Sequence, residues 1–173
     1  MEIERKFTIR ELPERLEQYE SRQLEQGYLC THPVVRVRKS VKNGKTKYIL
    51  CYKSKLGLEK KADATAHVCE EVELPLTAES YATLLSKAEG RVITKTRYLI
   101  PYGAYTIELD VFAGELSGLM FAEVEFPDEE EADAFTLPDW FEADVTFDKR
   151  FRNNYLAQWA EAPKELREAG IIR

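Results

Sequence analysis

Acids and bases recur two residues apart along this chain, and that spacing is where its chemistry has to be sought. The sets are Glu2, Glu4 and Lys6; Arg36 and Arg38; Glu71 and Glu73; Lys95 and Arg97; Glu108 and Asp110; and Glu123 and Glu125, with Lys53 ending a further run. Paired carboxylates suit a hard divalent cation, which takes several oxygen ligands. Paired bases, arginine above all, grip phosphate oxygens with bidentate geometry. In a strand, residues two apart share a face. Each set would therefore point its charges one way, while Ile3 and Phe7, Val35 and Val37, Val72 and Leu74, Ile107 with Leu109 and Val111, and Val124 with Phe126 point the other.

Such alternation is also what a half-solvated antiparallel sheet shows, with its apolar side in and its charged side out. Two details favour the inverse. The charged faces are nearly pure ionic pairs rather than mixtures with Ser, Thr, Asn and Gln, and the signs segregate by strand. Like charges side by side destabilise a sheet unless something of opposite sign sits between them. A divalent cation answers the carboxylates and a polyphosphate answers the bases. The expectation is a closed barrel with charges inside and apolar faces outward beneath helices.

The elements that must position these residues follow from pattern and punctuation. Strands are expected over Glu2–Arg10, Arg22–Cys30, Val34–Val41, Lys45–Lys53, His67–Leu76, Arg91–Pro101, Ala104–Phe112 and Leu119–Phe126. Asn43-Gly44 favours a tight hairpin turn, so Gly44-Lys45-Thr46 is a turn and not the end of a phosphate-binding loop. Pro13 opens a short helix through Tyr19, Thr77 caps a helix to about Glu89, and Asp128–Asp133 begins another, where carboxylates complement the dipole. Phe151–Ala160 reads as a helix, with further helical turns at the C-terminus, and 54–66 as an exposed loop. The fold class is α+β with a mostly antiparallel sheet.

At 173 residues, 44% of them hydrophobic, the chain suits one domain with a real core, divided here as 1–160 plus a helical tail at 161–173. The charged fraction of 32% exceeds the roughly 25% usual for soluble domains. A net charge of -6 argues against nucleic-acid or anionic-membrane partners, which need a basic field. Three cysteines, Cys30, Cys51 and Cys69, without C-x-x-C spacing suit neither a disulfide framework nor a structural zinc site. Cys51, in phase with Lys53, is expected to pack, and His32 and His67 to be isolated residues, structural or exposed. The chain opens on charged strand-like sequence, so a cytoplasmic protein is expected.

Glu2-Ile3-Glu4-Arg5-Lys6-Phe7 resembles the E-x-E-x-K signature of the CYTH family, the triphosphate tunnel metalloenzymes. The resemblance runs on through Val35-Arg36-Val37-Arg38, Tyr52-Lys53-Ser54, Glu71-Val72-Glu73, Lys95-Thr96-Arg97-Tyr98, Ile107-Glu108-Leu109-Asp110 and Glu123-Val124-Glu125-Phe126. It ends at Asp148-Lys149-Arg150-Phe151 and Asn153, and is nearest to small bacterial inorganic tripolyphosphatases. It implies an eight-stranded antiparallel β-barrel with helices packed outside and metal-dependent triphosphate hydrolysis within. By the resemblance, Glu2, Glu4, Glu71, Glu73, Glu108, Asp110, Glu123 and Glu125 would hold Mg²⁺ or Mn²⁺. Lys6, Arg36, Arg38, Lys53, Lys95, Arg97, Lys149 and Arg150 would grip a small anionic substrate, and Glu4, Lys6, Glu108 and Asp110 would act in the chemistry. An adenylate cyclase of the same fold, a thiamine triphosphatase and a non-catalytic polyphosphate-binding module are the alternatives. A closed barrel has no free sheet edge, so a homodimer would have to use helices or loops.

Overall fold

The computed structural model describes residues 1–55, 58 and 61–173; of the expected 54–66 loop, residues 56, 57, 59 and 60 lie outside the described set. Eight antiparallel strands follow the alternating segments: β1 (Glu2–Ile9), β2 (Glu20–Thr31), β3 (Val34–Lys42), β4 (Lys45–Ser54), β5 (His67–Pro75), β6 (Glu89–Tyr102), β7 (Tyr105–Phe112) and β8 (Met120–Glu125). They order as β5-β4-β3-β2-β6-β7-β8-β1, and pairing of β5 with β1 closes the barrel. A ninth strand, β9 (Phe141–Asp144), joins β1 across a register shift. The β3–β4 hairpin turns on Asn43 and Gly44 at φ 48° and 71°, as a two-residue turn with both φ positive demands.

Among the described residues four helices lie outside: α1 (Ala78–Leu85), α2 (Glu129–Ala134), α3 (Asn153–Gln158) and α4 (Ala162–Glu168). Thr77 caps α1 by accepting from Ser80 N–H at 3.0 Å, as its side chain foretold. The helix expected from Pro13 is only a 3₁₀ turn, Leu16–Gln18, because Arg15 stands in the left-handed region at φ 54°.

The inversion of core and surface is real on most of the wall. Outward residues Ile3, Phe7, Ile107, Leu109 and Val124 are buried under a layer that includes Ala132 of α2, Phe135 and Phe141 of β9. The covering is incomplete at β5, where the outward Val72 and Leu74 are each 54% exposed among the described residues. One end of the interior is also apolar. Tyr28, Ile93, Phe112 and Phe121 share a buried cluster with Phe151 and with Leu156 of α3, which plugs that end. α3 is drawn tight there. A Cβ on Gly90, at φ 71°, would stand 2.0 Å from Ala157 O, and Arg91 donates to Trp159 O at 2.8 Å and to Leu156 O. No helix among the described residues is long and apolar enough to cross a membrane.

Candidate active site

Antiparallel pairing sets the charged residues in neighbouring rows. Glu4 stands opposite Glu125 and Lys6 opposite Glu123 across β1 and β8, and Glu108 opposite Glu123 across β7 and β8. On the other wall Lys53 stands opposite Glu71, and Cys51 opposite both Arg36 and Glu73. These inward side chains bound a cavity of about 620 Å³, and seven of its lining residues are Glu while seven are Lys or Arg. Equal numbers of both signs suit a ligand that is itself a pair, a cation with a polyanion.

Glu4 stands opposite Glu125 on one side and His67 on the other, and Glu2 opposite Cys69, so acids and the histidine share neighbouring rows. Lys55 and Arg152 line the same cavity, with the β2–β3 turn and the start of α3.

Of the residues expected at the site, all line this cavity except Lys95, Asp110, Lys149 and Arg150. Lys95 and Asp110 are on the inward phase but too near the plug: both side chains are 0% exposed, joined at 2.5 Å. Arg97 Nε donates to Asp110 Oδ1 at 2.7 Å, and its other nitrogens reach Glu123 at 2.8 Å and Glu108. Asp110 therefore braces Arg97 from behind. Burial opposes its charge, but Arg97 and Lys95 hold its carboxyl below the usual range. Lys149 lies in a 3₁₀ turn away from the cavity, and Arg150 pairs with Asp148 at 2.6 Å on the surface.

Within the tunnel, Lys6 sits 3.0 Å from Glu123 and donates to Phe151 O at 2.9 Å. Lys53 donates to Glu2 at 2.6 Å. Against these stand two groups without an equal partner. Arg38 Nε donates to the neutral Gln26 carbonyl at 3.1 Å, and it has no salt bridge among the described residues. Burial, with Arg36 and Arg97 beside it, lowers its pKa to about 10. Among the described residues Arg36 comes no nearer to a carboxylate than 3.5 Å, at Glu71, and its Nε has no acceptor, but Tyr28, Cys51 and Glu71 outweigh burial and hold its pKa above the usual value. On the acidic side, burial and then Glu123 push Glu4 up to about 7. Burial, with Glu2, Glu108 and Glu71 around it, raises Glu125 as well. Acids without enough cation and bases without enough anion share one space.

Cys69 lines the cavity, and Cys51 is fully buried beside Glu71. Cys51 Sγ donates to Glu71 at 2.9 Å and Cys69 Sγ to Glu2 at 3.1 Å. Burial raises them to about 11 and about 12 respectively, so both are protonated donors rather than nucleophiles. Cys51, Glu71 and Glu73 bring their donor atoms within 4.8 Å of one another. His67 is neither isolated nor on the outer surface. It continues the inward ladder of Cys69 and Glu71 and lines the tunnel, as does His32. That periodicity was its signal. Arg152, Thr146 and Tyr28, also lining, come from loops or an uncharged stretch and carried none.

A closed antiparallel barrel whose acids and bases face one shared tunnel is the architecture of the triphosphate tunnel class. No family model matches the chain. An inorganic triphosphatase of Nitrosomonas europaea is 39% identical over 158 residues, covering 90% of this chain and 96% of that protein. An inorganic triphosphatase of Acetivibrio thermocellus is 40% identical over 88 residues, 51% of this chain. A solved inorganic triphosphatase overlays with a TM-score of 0.64 at 36% identity, covering 91% of this chain and 95% of that one. The chain belongs to the inorganic triphosphatase family of triphosphate tunnel proteins.

Proposed function

We propose that the protein hydrolyses a triphosphate, inorganic tripolyphosphate foremost, with Mg²⁺ or Mn²⁺ in the tunnel. The observation that carries this reading is Arg38. It faces the cavity with the neutral Gln26 as its partner, whereas the neighbouring Arg36 has Tyr28 and, at 3.5 Å, Glu71. A buried cation that lacks counter-charge is strongly unfavourable, so an anion belongs beside Arg38. The aromatic rings at the plugged end favour an inorganic chain over a nucleotide. Phe112 packs on Phe121 at 5.1 Å and Phe121 on Phe151 at 5.9 Å, which leaves no slot for a base between them.

The donor set fits a hard divalent cation. Glu2 and Glu4 of β1 and Glu123 and Glu125 of β8 offer oxygens from adjacent strands, and the raised Glu4 marks a carboxylate in want of positive charge. These four would hold the ion, with Glu71, Glu73 and Glu108 in the same cavity. When bound, the cation supplies neutralisation of phosphoryl charge and acidifies water.

The chain's own residues do the rest. Arg36 and Arg38 hold non-bridging oxygens, and Lys53, Lys6 and Arg97 line the path of the same chain. Asp110 and Lys95 keep Arg97 in place from behind the wall. Water attacks the terminal phosphorus, its proton passes to a carboxylate lining the tunnel, and the P–O bond to the leaving pyrophosphate breaks. Phosphoryl transfer asks for positioning and charge neutralisation above all, and protonated Cys51 and Cys69 offer no covalent route. The test is purified protein with Mg²⁺ or Mn²⁺ and, separately, tripolyphosphate, ATP and thiamine triphosphate. Phosphate and pyrophosphate in equal amounts from tripolyphosphate are expected. Cyclic AMP from ATP, or binding without turnover, would overturn the reading.

A further inference from the structure

Lys6, Lys53 and Arg97 each have a carboxylate within 3.0 Å in the tunnel wall, and Arg36 has one at 3.5 Å. Arg38 departs from that pattern among the described residues, because its partner is the side-chain amide of Gln26. Gln26 is 0% exposed, on the inward phase of β2, directly opposite Arg38 of β3. A guanidinium only donates, so the amide atom facing Arg38 Nε at 3.1 Å is the carbonyl oxygen. The amide nitrogen is thereby turned to the Tyr28 hydroxyl, to which it donates at 3.2 Å. Both ends of the amide are used, and that fixes its orientation.

Glutamate at this position would have the same shape and would accept from the same nitrogen. Its charge would also be stabilised by Arg38 and by Arg36 and Arg97, the cations nearest to Arg38. The strand carries a carboxylate one residue earlier, but Glu25 faces outward, where it accepts from Tyr81 of α1. What distinguishes Gln26 is therefore its neutrality. Its bond to Arg38 uses Nε, so the two terminal nitrogens of the fork remain for a ligand.

We propose that Gln26 is a positioning residue that spares charge: it holds Arg38 against the tunnel wall and leaves the guanidinium charge for a bound anion. The specificity this confers is for polyanions, since a ligand has to bring its own negative charge to complete Arg38. The assignment deepens the triphosphatase reading and rests on it for its ligand, tripolyphosphate.

The test compares the wild type with Gln26→Glu and Gln26→Leu, first in chelator so that no turnover enters. In thermal unfolding without ligand, Glu supplies the missing counter-charge and should raise the Tm above wild type. Leu leaves Arg38 Nε without its acceptor and should lower the Tm. Tripolyphosphate binding, followed by calorimetry, should weaken about tenfold or more in both variants. A residue that only held the wall together would move stability and affinity in the same direction. Gain of stability with loss of affinity in Gln26→Glu is the signature of spared charge. Gln26→Glu melting at or below wild type, or binding tripolyphosphate as tightly as wild type, overturns the proposal. With Mg²⁺ or Mn²⁺ restored, the loss in Gln26→Glu is expected in KM, and a loss confined to kcat also overturns it. Wild-type protein that binds tripolyphosphate and releases no phosphate would instead defeat the activity reading alone, because the unfolding and binding results do not depend on turnover.

Discussion

Glu4→Gln should make the metal-free protein more stable at pH 8 and nearly inactive. In the fold, burial and Glu123 move the Glu4 carboxyl from 4.5 to about 7. A carboxyl with a raised folded pKa binds protons more tightly than in the unfolded chain. Stability therefore falls as pH rises from about 4.5 to about 7, and levels off above. At full burial that displacement is worth about 3 kcal/mol. Because the tunnel admits water, about 1–2 kcal/mol is the fair expectation. Glutamine keeps the shape and never ionises, so it escapes the loss. For a chain of this size the gain is about 3–6 °C in Tm. The assay is thermal unfolding of both proteins in chelator at pH 8 and pH 4, with tripolyphosphate hydrolysis measured in Mg²⁺ or Mn²⁺. The gap should close at pH 4, where Glu4 is protonated in either state, and hydrolysis should fall about a hundredfold or more. A variant that melts at or below wild type at pH 8, or keeps its gap at pH 4, refutes the account of the acidic rows.

Divalent cation should raise the wild-type Tm more at pH 8 than at pH 5, because metal and protons compete for the same carboxylates; equal rises would argue against ligation by the raised acids. Asp110→Ala leaves Lys95 buried without its counter-charge, while Arg97 keeps Glu108 and Glu123, and should cost about 3–5 kcal/mol in urea unfolding. Lys149→Ala and Arg150→Ala, outside the cavity, should leave KM unchanged and stability within about 0.5 kcal/mol. Arg38→Gln should raise KM for tripolyphosphate about 10–100-fold and, by removing a buried cation without counter-charge, raise the melting temperature of the ligand-free protein.

The period of two carried the architecture because a strand has only two faces and a barrel has only two sides. Glu2 to Lys6, Arg36 and Arg38, Glu71 and Glu73, and Glu123 and Glu125 are on the predicted side for that reason alone. Phase does not report depth along the axis. Lys95 and Asp110 share the inward phase, yet Phe112, Phe121, Phe151 and Leu156 close that end over them, and two of those come from outside the strands. Four-residue β9 has no alternation long enough to read, and its place depends on a register shift in its pairing with β1. Pro13 suits a helix start, but the left-handed Arg15 two residues on stops it, and Arg15's type gives no warning.

An inverted barrel has to find its hydrophobic stabilisation elsewhere, and the structure shows where. One apolar cluster lies outside the wall of β1, β7 and β8, and the other fills one end around α3 and α4. The tunnel brings in both signs: carboxylates raised by burial and crowding at Glu4 and Glu125, and at Arg38 a guanidinium whose described partner is a neutral amide. Neither the cation nor the polyanion alone relieves both. Each ligand reduces the repulsion that the other leaves, so their binding must be coupled, and by linkage the coupling is the same in both directions. A chain built this way is least strained with positive charge beside Glu4 and Glu125 and negative charge beside Arg38.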